Sequence, residues 1–143
     1  MKILTAIGVL FAVLAIHTST TAAGSTTVVV PANVPATDTG IALTAGMTAI
    51  VTATGTWDVC GGGCPSGPDG ATNGALGSSP GVEGLPAGLL IGSLDGGLTF
   101  FAIGSGPAIV TGPGELYLGP NDGGDYGDNS GSLHVRINVH PVP

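Results

Sequence analysis

Positive charge is what this sequence most lacks: 2 Lys and Arg stand against 9 Asp and Glu in 143 residues, a formal net charge of −7. Binding a phosphate backbone requires clustered Lys and Arg, so nucleic acid is excluded as a partner. Aromatics are also scarce, at 4%, which leaves few rings to build a stacking platform. Beyond residue 23, no stretch of ten or more residues carries apolar positions at helical spacing without Gly or Pro. A helical domain is therefore excluded. Glycine and proline, by contrast, make up 38 of the 143 residues, about 27% against roughly 12% in average proteins. Disorder does not follow, because 43% of residues are hydrophobic and mean hydropathy is +0.51, whereas disordered chains are apolar-poor and highly charged. The length suits one domain with a modest core.

The first 23 residues read as an address. Met1 and Lys2 precede an apolar run from Ile3 to Ile16, followed by a small polar stretch from His17 to Ala23. This is the order of a secretory signal peptide, and 14 apolar residues fall short of the roughly 20 that span a bilayer. The expected product is a secreted, extracellular or cell-surface domain over 24–143, with no stable membrane span after cleavage. Loss of Lys2 leaves Arg136 as the sole Lys or Arg against nine carboxylates, a charge of −8.

Cysteine usage agrees with export. The only two, Cys60 and Cys64, lie in Cys-Gly-Gly-Gly-Cys, where glycine lets the backbone close a local disulfide. Two thiolates alone do not make the four-ligand set of a structural zinc site.

Short β-favouring runs recur at Thr26 to Val30, Met47 to Thr54, Leu89 to Ile91, Leu98 to Ile103, Ala108 to Thr111, Glu115 to Leu118 and Ser132 to Val139, each bounded by turn residues. In the last run Leu133, Val135, Ile137 and Val139 alternate with Ser132, His134, Arg136 and Asn138, the pattern of a strand with one buried face. Seven or more strands in about 120 residues predict an all-β antiparallel sandwich of jelly-roll type, with a barrel as the alternative. Between Cys60 and Gly88 no strand is expected. That segment contains Gly77-Ser78-Ser79-Pro80-Gly81, a match to the nucleophile-elbow pattern, but such an elbow needs a strand before it and a helix after it in a large α/β sheet. No catalysis is expected. His134 and His140 read as surface residues.

Chemistry concentrates in Asn121-Asp122-Gly123-Gly124-Asp125-Tyr126-Gly127-Asp128-Asn129-Ser130-Gly131. Three carboxylates and two carboxamides in one loop, with no Lys or Arg among them, repel one another unless a cation neutralises them. Oxygen-only donors favour a hard ion, and Ca2+ is the natural candidate. A solvated turn with Asx caps is the competing reading. The spacing is not that of an EF-hand.

The same loop resembles the C-terminal signature of the PA-I-like galactophilic lectins. Asn121-Asp122, Asp128-Asn129-Ser130-Gly131 and Leu133 to Ile137 carry the likeness, preceded by Gly114 to Leu118. Weaker matches lie at Asp38 to Ile41, Gly46, Gly55 to Trp57 and Gly67 to Gly70. The resemblance implies a galactose-binding-domain-like sandwich in which Asp122, Asp128 and Asn129 hold Ca2+ through side chains. A backbone carbonyl near Asp125 and another after Trp57 would complete the set. It further implies that the ion takes two sugar hydroxyls directly, with Asp122, Asp128 and Asn129 accepting or donating to the same glycan. With so few aromatics, a stacking ring must come from Tyr126 or Trp57; Trp57, at a strand end, reads first as a core residue, and Tyr126 reads equally as a turn residue covering the loop. The expected function is a secreted calcium-dependent carbohydrate-binding protein. The alternative is a calcium-stabilised structural or self-assembling surface protein, a homo-oligomer without sugar binding, motivated by uncharged strands with poorly protected edges.

Overall fold

The structure is a computed structural model, and it describes residues 23–142; the expected signal segment lies outside the described residues apart from its last position. Nine strands follow one another: β1 (Gly24–Pro31), β2 (Thr37–Leu43), β3 (Thr48–Asp58), β4 (Pro65–Ser66), β5 (Leu90–Ser93), β6 (Phe101–Ala102), β7 (Ala108–Thr111), β8 (Gly114–Pro120) and β9 (Ser130–His140). They form two antiparallel sheets. One runs β1-β9-β3-β4, with β7 also on β3, and the other runs β2-β8-β5-β6. The fold is the expected all-β sandwich.

Alternation explains the layering. On β9, Leu133, Val135 and Ile137 are fully buried while His134 and Arg136 are exposed. On β8, Leu116 and Leu118 turn inward to meet them. Each such side chain contributes about 1.5–3 kcal/mol by leaving water. β9 and β3 pair along their full eleven-residue lengths, from Thr48↔His140 to Asp58↔Ser130, and this central pair fixes where the loops at either end emerge. Every described residue with positive φ is a glycine, so the glycine content serves turns in an ordered chain.

Three expectations are corrected. The Leu98 to Ile103 run is a strand only at Phe101–Ala102; Leu98 is 75% exposed, because the Asp95 carboxylate accepts the Leu98 and Thr99 N–H groups and bends the backbone into a turn. The 60–88 segment does contain a strand, β4, paired with the end of β3, and bridges join Asp69 to Leu89 and Leu76 to Pro86. Its Val82 packs with Leu89 and Ile91 in a satellite cluster beside Phe100, so the segment is a folded cover on the second sheet. β2 was unexpected: its inward positions are Thr37, Thr39, Ile41 and Leu43, so its first half is polar and broken by Asp38 and Gly40, residues that strands disfavour.

Candidate functional site

The acidic loop, residues 121–129, joins β8 of one sheet to β9 of the other, so it closes one end of the sandwich. Because Asp58 is opposite Ser130 in register, the disulfide loop that follows β3 emerges beside it. The Cys60–Cys64 disulfide closes that loop with a Cα–Cα distance of 5.3 Å. Asp58 organises it from within: its carboxylate accepts N–H groups from Cys60 at 2.8 Å, Gly62 at 3.1 Å and Cys64 at 3.2 Å. Asp58, Cys60 and Cys64 therefore bring three potential ligand atoms within 4.8 Å, yet two of these are disulfide sulfurs and the third group is saturated with backbone donors. This cluster is not a metal site. Gly61, at φ +64, turns toward the acidic loop: a Cβ there would lie 3.3 Å from an Asp128 carboxylate oxygen.

Asn129 is the most informative side chain. It is 8% exposed, and its Nδ2 donates to the Ala32 carbonyl at 2.8 Å and to the Asp122 carboxylate at 2.6 Å. Both amide protons are thus directed, and Oδ1 is left buried without a hydrogen-bond partner. A buried unpaired acceptor costs about 1–3 kcal/mol, and a cation would remove that cost. The structure places the Asp122 and Asn129 side chains in contact and sets Asp128 against Gly61. Asp125 is exposed and its carboxylate accepts the Gly127 N–H at 3.2 Å, an Asx turn of its own. Tyr126 is half-buried; desolvation pushes its phenol up from the ordinary range, opposed by a hydrogen bond with Ser79, while the Asp122 charge adds to the rise. Of the two rings, only Tyr126 lies in the loop with accessible surface. Trp57 is 2% exposed and donates its Nε1 to Gly88 O at 2.7 Å, so it is a core residue.

Asn121 is the residue that sequence reasoning missed as a structural centre. Fully buried, it accepts the Ser79 N–H at 3.1 Å and directs Nδ2 at the carbonyls of Val82, Leu85 and Pro86, at 3.1–3.3 Å. Gly77 is glycine for this reason: a Cβ would collide with the Asn121 amide. The Ser79 hydroxyl is occupied by the backbone of Asp122, donating to its carbonyl at 3.3 Å and accepting its N–H at 3.2 Å. No elbow surrounds it, since no helix is present among the described residues. Asp122 is thereby fastened by its backbone, which leaves its side chain to face Asn129. Beside the loop, Thr56, Trp57, Asp58, Pro65, Ser130 and Gly131 line a shallow, open depression of about 300 Å³.

Among solved structures the chain is similar to one described as "EclA N-terminal domain; PllA-like lectin", with a TM-score of 0.61 and 24% identity over 80% of this chain and 95% of that one. The two share a fold. No protein-family model matches the chain, and no curated protein matches it. What the arrangement offers chemically is a set of oxygen donors, anchored by buried amides, at the rim where both sheets end.

Proposed function

We propose that this chain is a secreted, non-catalytic, calcium-dependent carbohydrate-binding protein. The observation that carries the reading is the buried, unpartnered Oδ1 of Asn129, on an amide whose Nδ2 donates to the Asp122 carboxylate. The donor set fits a hard ion, being all oxygen and free of cationic side chains. Asp122, Asp128 and Asn129 would hold Ca2+, with backbone carbonyls from the acidic and disulfide loops as further ligands; Asp125, committed to its own turn, would contribute its main chain. Bound there, the ion would supply a Lewis-acidic point for vicinal hydroxyls of a sugar, and its carboxylate ligands would accept hydrogen bonds from the same hydroxyls. Tyr126 would offer the ring face. The lectin description of the structural neighbour and the likeness of the loop to the PA-I-like signature support carbohydrate as the ligand class, with galactose-type sugars the first to try.

The test is calorimetric. Calcium titration of the intact protein should show saturable binding and raise the melting temperature, and Asp122→Ala and Asp128→Ala should each weaken both effects. Unchanged titrations in both variants would refute the site. Calcium binding with no glycan bound would leave the ion as a clip for the loop and favour the structural alternative.

A further inference from the structure

Each sheet of an open sandwich has edges whose backbone groups invite another strand, and proteins blunt them with charge, bulges, proline or brevity. Four of the five edges here are blunted. β2 carries Asp38 and a register shift, β4 and β6 are two residues long, and β7 spans four residues with Pro107 directly before it and Pro113 two residues after it. β1 differs on every count. Its eight residues, Gly-Ser-Thr-Thr-Val-Val-Val-Pro, hold no charge, pair with β9 without a register shift, and have proline only at the final position.

Its hydrogen-bonding parity can be worked out. Ala32 donates its N–H to Gly131 O at 3.1 Å, continuing the register in which Val30 faces Leu133 and Val28 faces Val135. In an antiparallel ladder, bonded and non-bonded positions alternate. The even-numbered residues thus bond β9, while Ser25, Thr27 and Val29 direct both N–H and C=O away from the sheet. All three are exposed, Val29 by 53%, and β1 has no strand partner on that side among the described residues.

The geometry points to pairing of β1 with β1 of a second copy of this chain, antiparallel about a two-fold axis through Thr27. Self-pairing suits this edge for three reasons. The outward positions are symmetric about Thr27, so Ser25 meets Val29 and Thr27 meets itself, giving up to about six main-chain hydrogen bonds. No charge on β1 opposes its copy, in a molecule otherwise rich in carboxylates. The only described Lys or Arg, Arg136, lies on the neighbouring strand opposite Thr27 and donates its Nε to Ser25 Oγ at 2.9 Å, which makes this flank the least negative approach for a second acidic chain. With the expected cleavage after Ala23, the strand would start at the new terminus, and no upstream segment would compete for the edge. Two five-stranded sheets then become one. If the proposed sugar site stands, its Ala32 flanks would lie about 33 Å apart at ~3.3 Å per residue, a bivalent display; the pairing itself does not depend on that reading.

The experiment is sedimentation velocity on the full-chain protein as recovered, across a hundredfold concentration range, with Thr27→Pro and Thr27→Lys beside it. Proline at 27 removes an outward N–H and spares the bonds to β9. A concentration-dependent dimer that becomes monomer in both variants, with far-UV circular dichroism unchanged, is the expected result. Hydrogen exchange on the unmodified protein keeps the inference testable if a variant fails to fold: the amides of Ser25, Thr27 and Val29 should gain protection as the dimer forms. A monomer throughout, a dimer indifferent to both substitutions, or protection of these amides that ignores concentration would each overturn it.

Discussion

Replacing Asn121 by alanine tests how the rim of the sandwich is held. The side chain is fully buried; its Oδ1 is the acceptor for the Ser79 N–H, and its Nδ2 serves carbonyls of Val82, Leu85 and Pro86. Truncation leaves the buried Ser79 N–H and at least one carbonyl without partners, at about 1–3 kcal/mol each, so a loss of ~3–5 kcal/mol follows. Against a total stability of about 5–15 kcal/mol that is a large share, equivalent to a melting-point drop on the order of 10–15 °C. Asn121→Asp sharpens the test. It sets a carboxylate oxygen against three carbonyls, and burial raises the pKa of such a group above its unfolded value. The folded state then binds the proton more tightly, so the charge penalty is absent below about pH 4 and grows as pH rises. Thermal and urea melts at pH 7 and pH 4 should show Asn121→Asp at least as damaged as Asn121→Ala at neutral pH and partly recovered in acid. A drop below about 3 °C for both variants would refute the claim that Asn121 organises the rim.

Two further outcomes follow from the same accounting. Removing the disulfide with Cys60→Ser and Cys64→Ser should cost roughly 2 kcal/mol through the short loop it closes; since Gly61 of that loop abuts Asp128, calcium affinity measured calorimetrically should fall as well, and equal affinity would separate the loop from the site. Hydrogen bonds from the Thr99 side chain and backbone, then from Ser93 and Leu98, hold the Asp95 carboxyl at about 2 against burial that raises it. Its folded pKa is depressed, so its contribution is present above the unfolded pKa and lost as pH falls from about 4 toward 2; Asp95→Asn should flatten the acid limb of the stability curve in that window, and an unaltered limb would contradict the assignment.

Much of the fold was legible because β9 and β8 alternate cleanly, and a two-residue period over Leu133 to Val139 has only one structural meaning. β2 was hidden because Thr37 and Thr39 take the inner face ahead of Ile41 and Leu43, with Asp38 and Gly40 between them, and β4 because two residues beginning with proline carry no pattern at all. Leu98 misled in the opposite direction: apolar character suggested a strand, while Asp95, three residues away, commands its N–H. The acidic loop was visible as composition. Its internal division of labour was not, since Asn121 and Asn129 look alike in sequence, and only long-range contacts make one a clamp and leave the other with a buried acceptor unpaired. Trp57 is the core residue that its place at a strand end suggested, though its bond to Gly88, 31 residues away, could not be read from the sequence.

The central claim is that the oxygen cluster around Asn129 acts through Ca2+ to bind sugar. Glycan-array binding by the intact protein, measured with calcium, with chelator, and after calcium is restored, tests it most directly. The account predicts binding to galactose-type glycans that disappears with chelator and returns with the ion; glycan binding indifferent to chelator, or none under any of the three conditions, would contradict it.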